Sequence, residues 1–315
     1  MLPIPRRSHR RLAAAVVAAL ALIATIAGCT SSTTSPKPSD GRKRIVVTYS
    51  ILGSLVREAV GDRADVVEVM PNGADPHEWE PSAKDIAQLN TADLIVRNGL
   101  GLEGGMKRAL DQAARNGVAT FVASDHITVR TVGQGEGLPN GDPDQSVGAK
   151  DPHLWMDPLA LKDVITALGP ALAERGIDAS AGVATVADEL SRLNDQVSGI
   201  LSAVPAANRN LVTGHESLGY FANRYGFTLV GAIIPSLTTQ ASASAAALSQ
   251  LAAKVRQLHV KAIFTELGTP PQVADAIGSE TGVKVVELAT HNLPADGKYS
   301  SFLIDIARKV AAALA

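Results

Sequence analysis

From Ile45 onward, short apolar runs alternate with amphipathic segments whose apolar residues recur at helical spacing. The pattern predicts strands at residues 45–49, 66–70, 94–96 and 120–123, and helices near 52–60, 82–89 and 102–115. Ser82 is suited to cap its helix, and Gly61 and Gly117 stand where helices are expected to end. Because alternating strands and helices indicate a parallel sheet, this half of the chain is predicted to form an α/β lobe.

A long amphipathic stretch over about residues 181–204 ends before Pro205 and divides the chain in two. The second half repeats the alternation, with strands predicted at 210–213, 228–233, 262–265 and 284–288 and helices at 217–225, 243–258, 271–281 and 300–313. The predicted fold is therefore α/β, with two parallel-sheet lobes joined by one helix. The predicted boundaries are 43–178 for the first lobe, 179–206 for the connecting helix and 207–315 for the second lobe.

Composition and charge limit the classes of protein that need to be considered. The chain has 315 residues, of which 46% are hydrophobic and 19% charged, which suits a globular protein of about two domains. The formal net charge is −2, and lysine and arginine are scattered beyond the first dozen residues. Nucleic acid is therefore not an expected partner.

The N-terminus has the layout of a secretory signal. Four arginines within residues 6–11 precede an apolar run over 12–26 that is too short to span a bilayer comfortably. Residues 30–41 contain no large apolar side chain and predict a flexible tether. The predicted boundaries are 1–28 for the signal peptide and 29–42 for the tether.

Cys29 is the only cysteine of the chain and directly follows Ile26-Ala27-Gly28. This segment resembles the lipobox of bacterial lipoproteins. By that resemblance the signal is cleaved before Cys29 and the thiol carries a lipid, with a second, amine-linked chain completing a stable anchor. The protein is then expected outside the cytoplasm, held to the cell membrane through Cys29; an uncleaved anchor helix is the alternative.

Two histidine motifs in polar, proline-flanked loops echo each other. His77 and His153 each follow Asp-Pro and each precede a tryptophan by two residues. Proline restricts the backbone before the histidine and tryptophan can exclude water, so the cost of ordering a metal site is reduced. His215 and His291 follow predicted strands, and ligands bind beyond the carboxyl ends of parallel strands.

The segments Gly73-Ala74-Asp75-Pro76-His77, Asp151-Pro152-His153-Leu154-Trp155-Met156-Asp157-Pro158 and Gly214-His215-Glu216-Ser217-Leu218-Gly219-Tyr220-Phe221 resemble those of the zinc and manganese solute-binding proteins of bacterial ABC transporters. The resemblance covers the whole mature chain. It implies two lobes, a rigid connecting helix and a metal ion buried in the cleft between the lobes, with one ligand from each of four loops. It also implies that His77 and His153 are ligands of the first lobe and His215 the first ligand of the second.

The fourth ligand departs from the family's pattern, which has an aspartate in a Thr-Asp-Ser-Leu type segment. Here the matching stretch reads Ala289-Thr290-His291-Asn292-Leu293-Pro294, so position favours His291. Asp296 lies in the same loop and offers a carboxylate. Because four neutral imidazoles leave the whole charge of a buried dication uncompensated, the chemistry slightly favours Asp296. The two are rival fourth ligands, or a ligand and its supporting partner.

Imidazoles with at most one carboxylate suit tetrahedral zinc, and the resemblance puts a carboxylate at the position of His215 in manganese receptors. Zn²⁺ is therefore the expected cargo, with Mn²⁺ less favoured. The expected function is capture of the ion, without chemical turnover, for an ABC permease in the cytoplasmic membrane. A metallochaperone is a further candidate partner, and the protein is expected to be a monomer.

Two alternatives of function accompany this interpretation. The first is a zinc-dependent hydrolase, which no His-Glu-x-x-His motif supports. The second is a manganese-specific receptor or adhesin of the same fold. The acidic loop 133–150 contains no histidine and is interpreted as a surface loop, with a weak accessory metal trap as its alternative.

Overall fold

The structure is a computed structural model that describes residues 41–134, 136 and 146–315. The predicted signal peptide, the predicted lipidation site Cys29, most of the predicted tether and much of the loop 133–150 lie outside the described residues. None of the helices in the described part of the chain combines the length and apolar character that a membrane crossing requires.

The first lobe is built on a four-stranded parallel sheet with the order β2-β1-β3-β4. Its strands are β1 (Lys43–Val47), β2 (Ala64–Glu68), β3 (Leu94–Arg97) and β4 (Thr120–Val122). Its helices are α1 (Ser50–Val60), α2 (Ala83–Asn90), α3 (Lys107–Arg115) and α4 (Pro158–Ala173). The predicted parallel sheet is confirmed, although β1 and β2 each begin and end two residues before the predicted bounds.

The second lobe repeats this arrangement with the strand order β6-β5-β7-β8, again parallel throughout. Its strands are β5 (Asn210–Thr213), β6 (Thr228–Ala232), β7 (Ala262–Thr265) and β8 (Lys284–Glu287). The long helix α5 (Ser180–Leu201) leads into this lobe, whose helices are α6 (Gly219–Tyr225), α7 (Ala245–Gln257), α8 (Pro271–Thr281) and α9 (Tyr299–Leu314). The predicted α/β class with two sheets is confirmed.

Local sequence signals explain several of the helix ends. Ser82 forms a capping box with Asp85: the Ser82 side chain accepts from the backbone N–H of Asp85, and the Asp85 carboxylate accepts from that of Ser82. Helix α1 ends at Val60 because Gly61 adopts a positive φ of 54° that other residues rarely tolerate. Asp157 caps α4 by accepting from the N–H of Leu159.

The main hydrophobic core extends through both lobes along α5, which packs against α1 and α4 of the first lobe and α9 of the second. The side chains of α5 that face this core are Val183, Val186, Leu190, Leu193, Val197 and Leu201. A smaller apolar cluster lies within the second lobe, where Val212 and Ile263 of the sheet pack with residues of α7 and α8. Since the described residues belong to one compact unit, the boundaries 43–178, 179–206 and 207–315 stay predictions.

Candidate metal centre

The three predicted histidine ligands and His291, one of the two rivals for the fourth position, lie in loops beyond the carboxyl ends of strands, two in each lobe. His77 lies between β2 and α2, His153 directly before a single 3₁₀ turn that leads into α4, His215 between β5 and α6, and His291 between β8 and α9. Parallel strands place their carboxyl ends at one edge of the sheet. Residues that are far apart in the sequence therefore meet where the two sheet edges approach each other.

The structure brings these four imidazoles together. Each ring contributes one nitrogen, and these four nitrogens all lie within 4.8 Å of one another. The Nε2 atom of His153 lies 3.3 Å from Nε2 of His77 and 3.1 Å from Nε2 of His215. A tetrahedral zinc ion with ordinary Zn–N bonds holds its nitrogens about 3.3–3.4 Å apart. The two distances from His153 are therefore those of a tetrahedral metal site, and the other ring nitrogens lie within 4.8 Å of one another.

The histidine cluster is enclosed. His153 and His215 are fully buried, and His77 and His291 are 6% and 5% exposed. Among the described residues, none forms a hydrogen bond with the buried Nε2 atom of His291. A buried polar atom that lacks a partner costs about 1–3 kcal/mol, and a bound metal ion would satisfy it.

Asp151 orients His153. Its Oδ1 atom lies 2.9 Å from Nδ1 of His153 and accepts the backbone N–H of the same residue at 2.9 Å. The carboxylate is fully buried. Since an ionised carboxylate only accepts hydrogen bonds, this contact assigns the ring proton to Nδ1 and leaves the Nε2 lone pair facing the cluster.

Glu266 lies against His215 in a similar position, but its carboxylate is not aligned for a hydrogen bond with the ring nitrogen. Its Oε1 atom lies 3.1 Å from Nδ1 of His215 and accepts the backbone N–H of that residue at 3.1 Å. The other oxygen, Oε2, accepts the hydroxyl of Ser217 at 2.6 Å and that of Thr290 at 2.5 Å. Glu266 thus ties together two of the loops that carry histidines.

Thr290 extends this support to His291. Its hydroxyl oxygen lies 3.0 Å from Nδ1 of His291 while the hydroxyl proton is given to Glu266. The Thr290 oxygen can then accept a hydrogen bond from Nδ1–H of His291. This leaves the lone pair on Nε2 of His291 free to bind a metal. One buried carboxylate therefore contacts His215 directly and His291 through Thr290.

Burial lowers the pKa of His77, His153 and His291, to about 3 for His291, so these imidazoles are neutral at neutral pH. For His215, burial acts to lower the pKa, but the charge of Glu266 and its contact with the ring outweigh burial and raise it. Burial acts to raise the pKa of Glu266, yet the same contact with His215 and the hydroxyl donors hold it below its usual value. Glu266 therefore stays anionic beside the cluster.

The structure places Asp296 away from the histidine cluster. Its carboxylate accepts the backbone N–H of Lys298 at 3.0 Å and the hydroxyl of Ser301 at 2.6 Å, at the beginning of α9. These hydrogen bonds, led by that from Ser301, lower the pKa of Asp296. The sequence-based preference for Asp296 rested on the need for negative charge near the metal, and Glu266 together with Asp151 meets that need.

Trp155 closes one side of the site. Its ring packs against those of His153 and His291, with centroid separations of 5.2 and 5.5 Å, and its Nε1–H donates to the carbonyl of Thr290 at 2.9 Å. The hydroxyl of Tyr299 donates to the carbonyl of Trp155 at 2.7 Å. Trp79, expected to have the same role, is partly buried against the main core.

Glu266 is a residue of the candidate site that the sequence analysis did not identify. It directly follows β7, so it occupies the same kind of position, beyond the carboxyl end of a parallel strand, that directed attention to the histidines. In the sequence, Glu266 is recognisable only as a glutamate shortly after the apolar run 262–264. Its contacts with the loops that carry His215 and His291 become visible only in the folded structure.

Fold and site together define a class: an α/β protein of two similar lobes that enclose a cluster of metal-ligating side chains between their strand ends. The chain belongs to the family described as the periplasmic component A of the zinc-uptake complex, whose model matches residues 45–314. Members of this family are metal-binding solute-binding proteins of ABC transporters, not enzymes. The family predicted from the histidine motifs is thus confirmed.

Individual relatives resemble the chain over most of its length. The manganese-binding lipoprotein MntA of Halalkalibacterium halodurans is 26% identical over 296 residues, which cover 92% of this chain and 93% of that protein. The high-affinity zinc uptake system protein ZnuA of Bacillus subtilis is 29% identical over 279 residues, 87% of this chain and 86% of that protein. The solved structure of the periplasmic zinc-binding protein TroA from Treponema pallidum matches with a TM-score of 0.74 at 26% identity, covering 87% of this chain and 100% of that chain.

Proposed function

We propose that this protein captures Zn²⁺ with His77, His153, His215 and His291 and delivers it to an ABC permease of the cytoplasmic membrane. The observation that carries the proposal is the convergence of four imidazoles from four loops and both lobes, each with a ring nitrogen within 4.8 Å of the others. No protein ligand beyond these four is required for a tetrahedral ion.

The donor set supports zinc over manganese. Imidazole nitrogen is a good ligand for zinc, whereas manganese favours carboxylate, carbonyl and water oxygen. The names of the relatives include both metals, so they do not favour either one. The two carboxylates beside the cluster, Asp151 and Glu266, contact imidazoles and leave the coordination positions to nitrogen. They offset the charge of a bound dication without acting as ligands.

His291, and not Asp296, is the fourth ligand in this proposal. Its Nε2 atom is buried and lacks a hydrogen-bond partner among the described residues, while the carboxylate of Asp296 is occupied at the start of α9. With all four tetrahedral positions taken by imidazole, the metal has no open position for a reacting water molecule. A site of this kind suits binding and transport of the ion.

The location and partners of the protein complete the proposal. Several relatives are named lipoproteins, and the lipobox-like sequence before Cys29 supports a lipid anchor at that residue. The anchor would hold the protein outside the cytoplasm and close to its permease. A metallochaperone that loads the site is a further candidate partner.

Isothermal titration of the metal-stripped protein tests the proposal directly. We expect one Zn²⁺ per chain with a dissociation constant below micromolar, and much weaker binding of Mn²⁺ at the same pH. His153→Ala should abolish tight binding, whereas His126→Ala, which removes a histidine stacked on Phe121 outside the cluster, is the matched control. Tighter binding of Mn²⁺ than of Zn²⁺ would instead identify a manganese receptor.

A further inference from the structure

Arg130 lies outside the histidine cluster but contacts the carboxylate that orients one of its members. Asp151 uses Oδ1 for His153 and Oδ2 for Arg130, whose Nη1 atom donates at 3.0 Å. The Asp151 side chain is fully buried and that of Arg130 is 9% exposed. A buried carboxylate needs a partner for each oxygen, and Arg130 binds the Oδ2 atom of Asp151 that His153 does not contact.

The backbone sets Arg130 beside Asp151. Asp151 donates its N–H to the carbonyl of Arg130 at 3.0 Å, and the next residues, Thr131 and Lys150, form an antiparallel bridge. The guanidinium also contacts the carboxylate of Glu136 through its second terminal nitrogen. Arg130 is thus held at both its backbone and its side chain, and its orientation toward Asp151 is defined.

The second lobe closes over this ion pair. Gly219, the first residue of α6, lies so near that a Cβ atom on it would overlap with both the Asp151 carboxylate and the Arg130 guanidinium. The hydroxyl of Tyr220 accepts the backbone N–H of Arg130 at 3.0 Å. The loop that carries His215 therefore ends against the group that supports His153.

We propose that Arg130 is a positioning residue for metal binding. Arg130 holds Asp151, Asp151 keeps the proton of His153 on Nδ1, and the Nε2 lone pair of His153 is thereby directed at the ion. Gly219 leaves the space that this arrangement needs. The inference rests on the proposed function, since it requires His153 to be a metal ligand.

Two effects of Arg130 oppose each other. Its positive charge repels a cation, while its hold on Asp151 organises a ligand. The charge is offset by two carboxylates in direct contact, Asp151 and Glu136, so its field at the cluster is largely cancelled. Positioning therefore outweighs repulsion, and removal of Arg130 weakens zinc binding.

The substitution Arg130→Gln tests whether the positioning effect of Arg130 outweighs its repulsion of the cation. Zinc affinity of the full chain is measured by competition with a chromophoric chelator. Loss of a group that supports a ligand weakens metal binding by about 10–100-fold, and we expect at least the lower figure. Arg130→Lys retains the charge and should recover part of the loss. An unchanged or increased affinity of Arg130→Gln overturns the proposal.

Arg224→Gln is the matched control. Arg130 and Arg224 both line a cavity of about 460 Å³ between the lobes. Arg224 pairs with both oxygens of Asp157, at 2.8 and 2.7 Å. The Asp157 carboxylate caps α4 and contacts none of the four histidines. We expect both arginine variants to lower the melting temperature but only Arg130→Gln to change zinc affinity. Equal losses of affinity in the two variants would reduce Arg130 to a general structural role and overturn the proposal.

Gly219→Ala perturbs the same ion pair from the opposite lobe without a change of charge. We expect a loss of zinc affinity similar to that of Arg130→Gln. Gly199→Ala is its control, because a Cβ at Gly199 on α5 meets no atom within 4 Å. Wild-type affinity in Gly219→Ala, if the variant folds, contradicts the proposed packing.

A measurement on the wild-type chain keeps the test valid if the variants fail to fold. Nitrogen-15 NMR of the metal-free protein should show His153 protonated on Nδ1 and unprotonated on Nε2. The opposite tautomer overturns the inference even if zinc binds tightly. Failure of the proposed function is distinguishable, because the wild-type chain would then bind no zinc or His153→Ala would bind it normally.

Discussion

Glu266 Oε1 lies 3.1 Å from Nδ1 of His215, and neither side chain is more than 2% exposed. The residues are 51 positions apart in the sequence, and each follows the carboxyl end of a strand in the second sheet. This contact places a buried negative charge beside the histidine cluster. It provides the charge compensation that the sequence analysis assigned to Asp296.

Glu266→Gln should weaken zinc binding by about 10–100-fold, because glutamine keeps the size of the side chain but removes the charge that lies against His215 and offsets the ion. Titration calorimetry on the metal-stripped variant measures the effect. The control is Glu287→Gln, which neutralises an exposed glutamate at the end of β8. Equal affinities of Glu266→Gln and the wild type would show that the buried charge contributes nothing to binding.

His291→Ala and Asp296→Ala separate the rival fourth ligands. We expect His291→Ala to lose most of the zinc affinity, because it removes a buried nitrogen of the cluster. Asp296→Ala should leave affinity unchanged, since its carboxylate is bonded at the start of α9. The same chelator competition applies to both variants, and a large loss in Asp296→Ala alone would return the assignment to the carboxylate.

Zinc affinity should be nearly constant above the pKa of His215 and fall as the pH drops below it. The raised pKa of His215 means that a proton competes with the metal at this ring first. Because the pKa values of His77, His153 and His291 are lowered, protons compete with the metal at these rings only at more acidic pH. Each displaced proton weakens binding about tenfold per pH unit. Affinity measured from pH 8 to pH 5 gives the profile, and a flat one would count against a histidine site.

Zinc should stabilise the protein against unfolding, because the four ligands come together only in the folded chain. At a free zinc concentration of 100 times the dissociation constant, the free energy of unfolding should increase by about 2.7 kcal/mol. Urea denaturation with zinc and with excess chelator measures the difference. His215→Ala serves as the control, and a zinc-dependent increase of the same size in that variant would indicate binding elsewhere.

Much of the fold could be predicted from local patterns. The strand over Ala262–Thr265 and the helix over Pro271–Thr281 have the predicted bounds, because a short apolar run marks the strand, and Pro271 and a helical pattern mark the helix. The long connecting helix was also predicted: the stretch 181–204 corresponds to α5, which begins one residue earlier and ends three residues earlier. The beginning of one helix was predicted less accurately. Residues 102–106 were predicted as helix, but α3 begins at Lys107.

The sequence by itself determined the candidate histidines and the family, because the Asp-Pro-His motifs and the strand ends are local features. The tertiary structure decided which group in the last loop faces the other three histidines, and that Glu266 and Asp151 lie behind them. His77 and His153 are 76 residues apart and His153 and His215 62 residues apart, yet their Nε2 atoms are within 3.3 Å. Distances of this kind depend on how two sheets approach each other, and a local pattern contains no information about that approach. The direction of a buried side chain is likewise set by its partners in other loops, which is why charge alone favoured Asp296 and geometry favours His291.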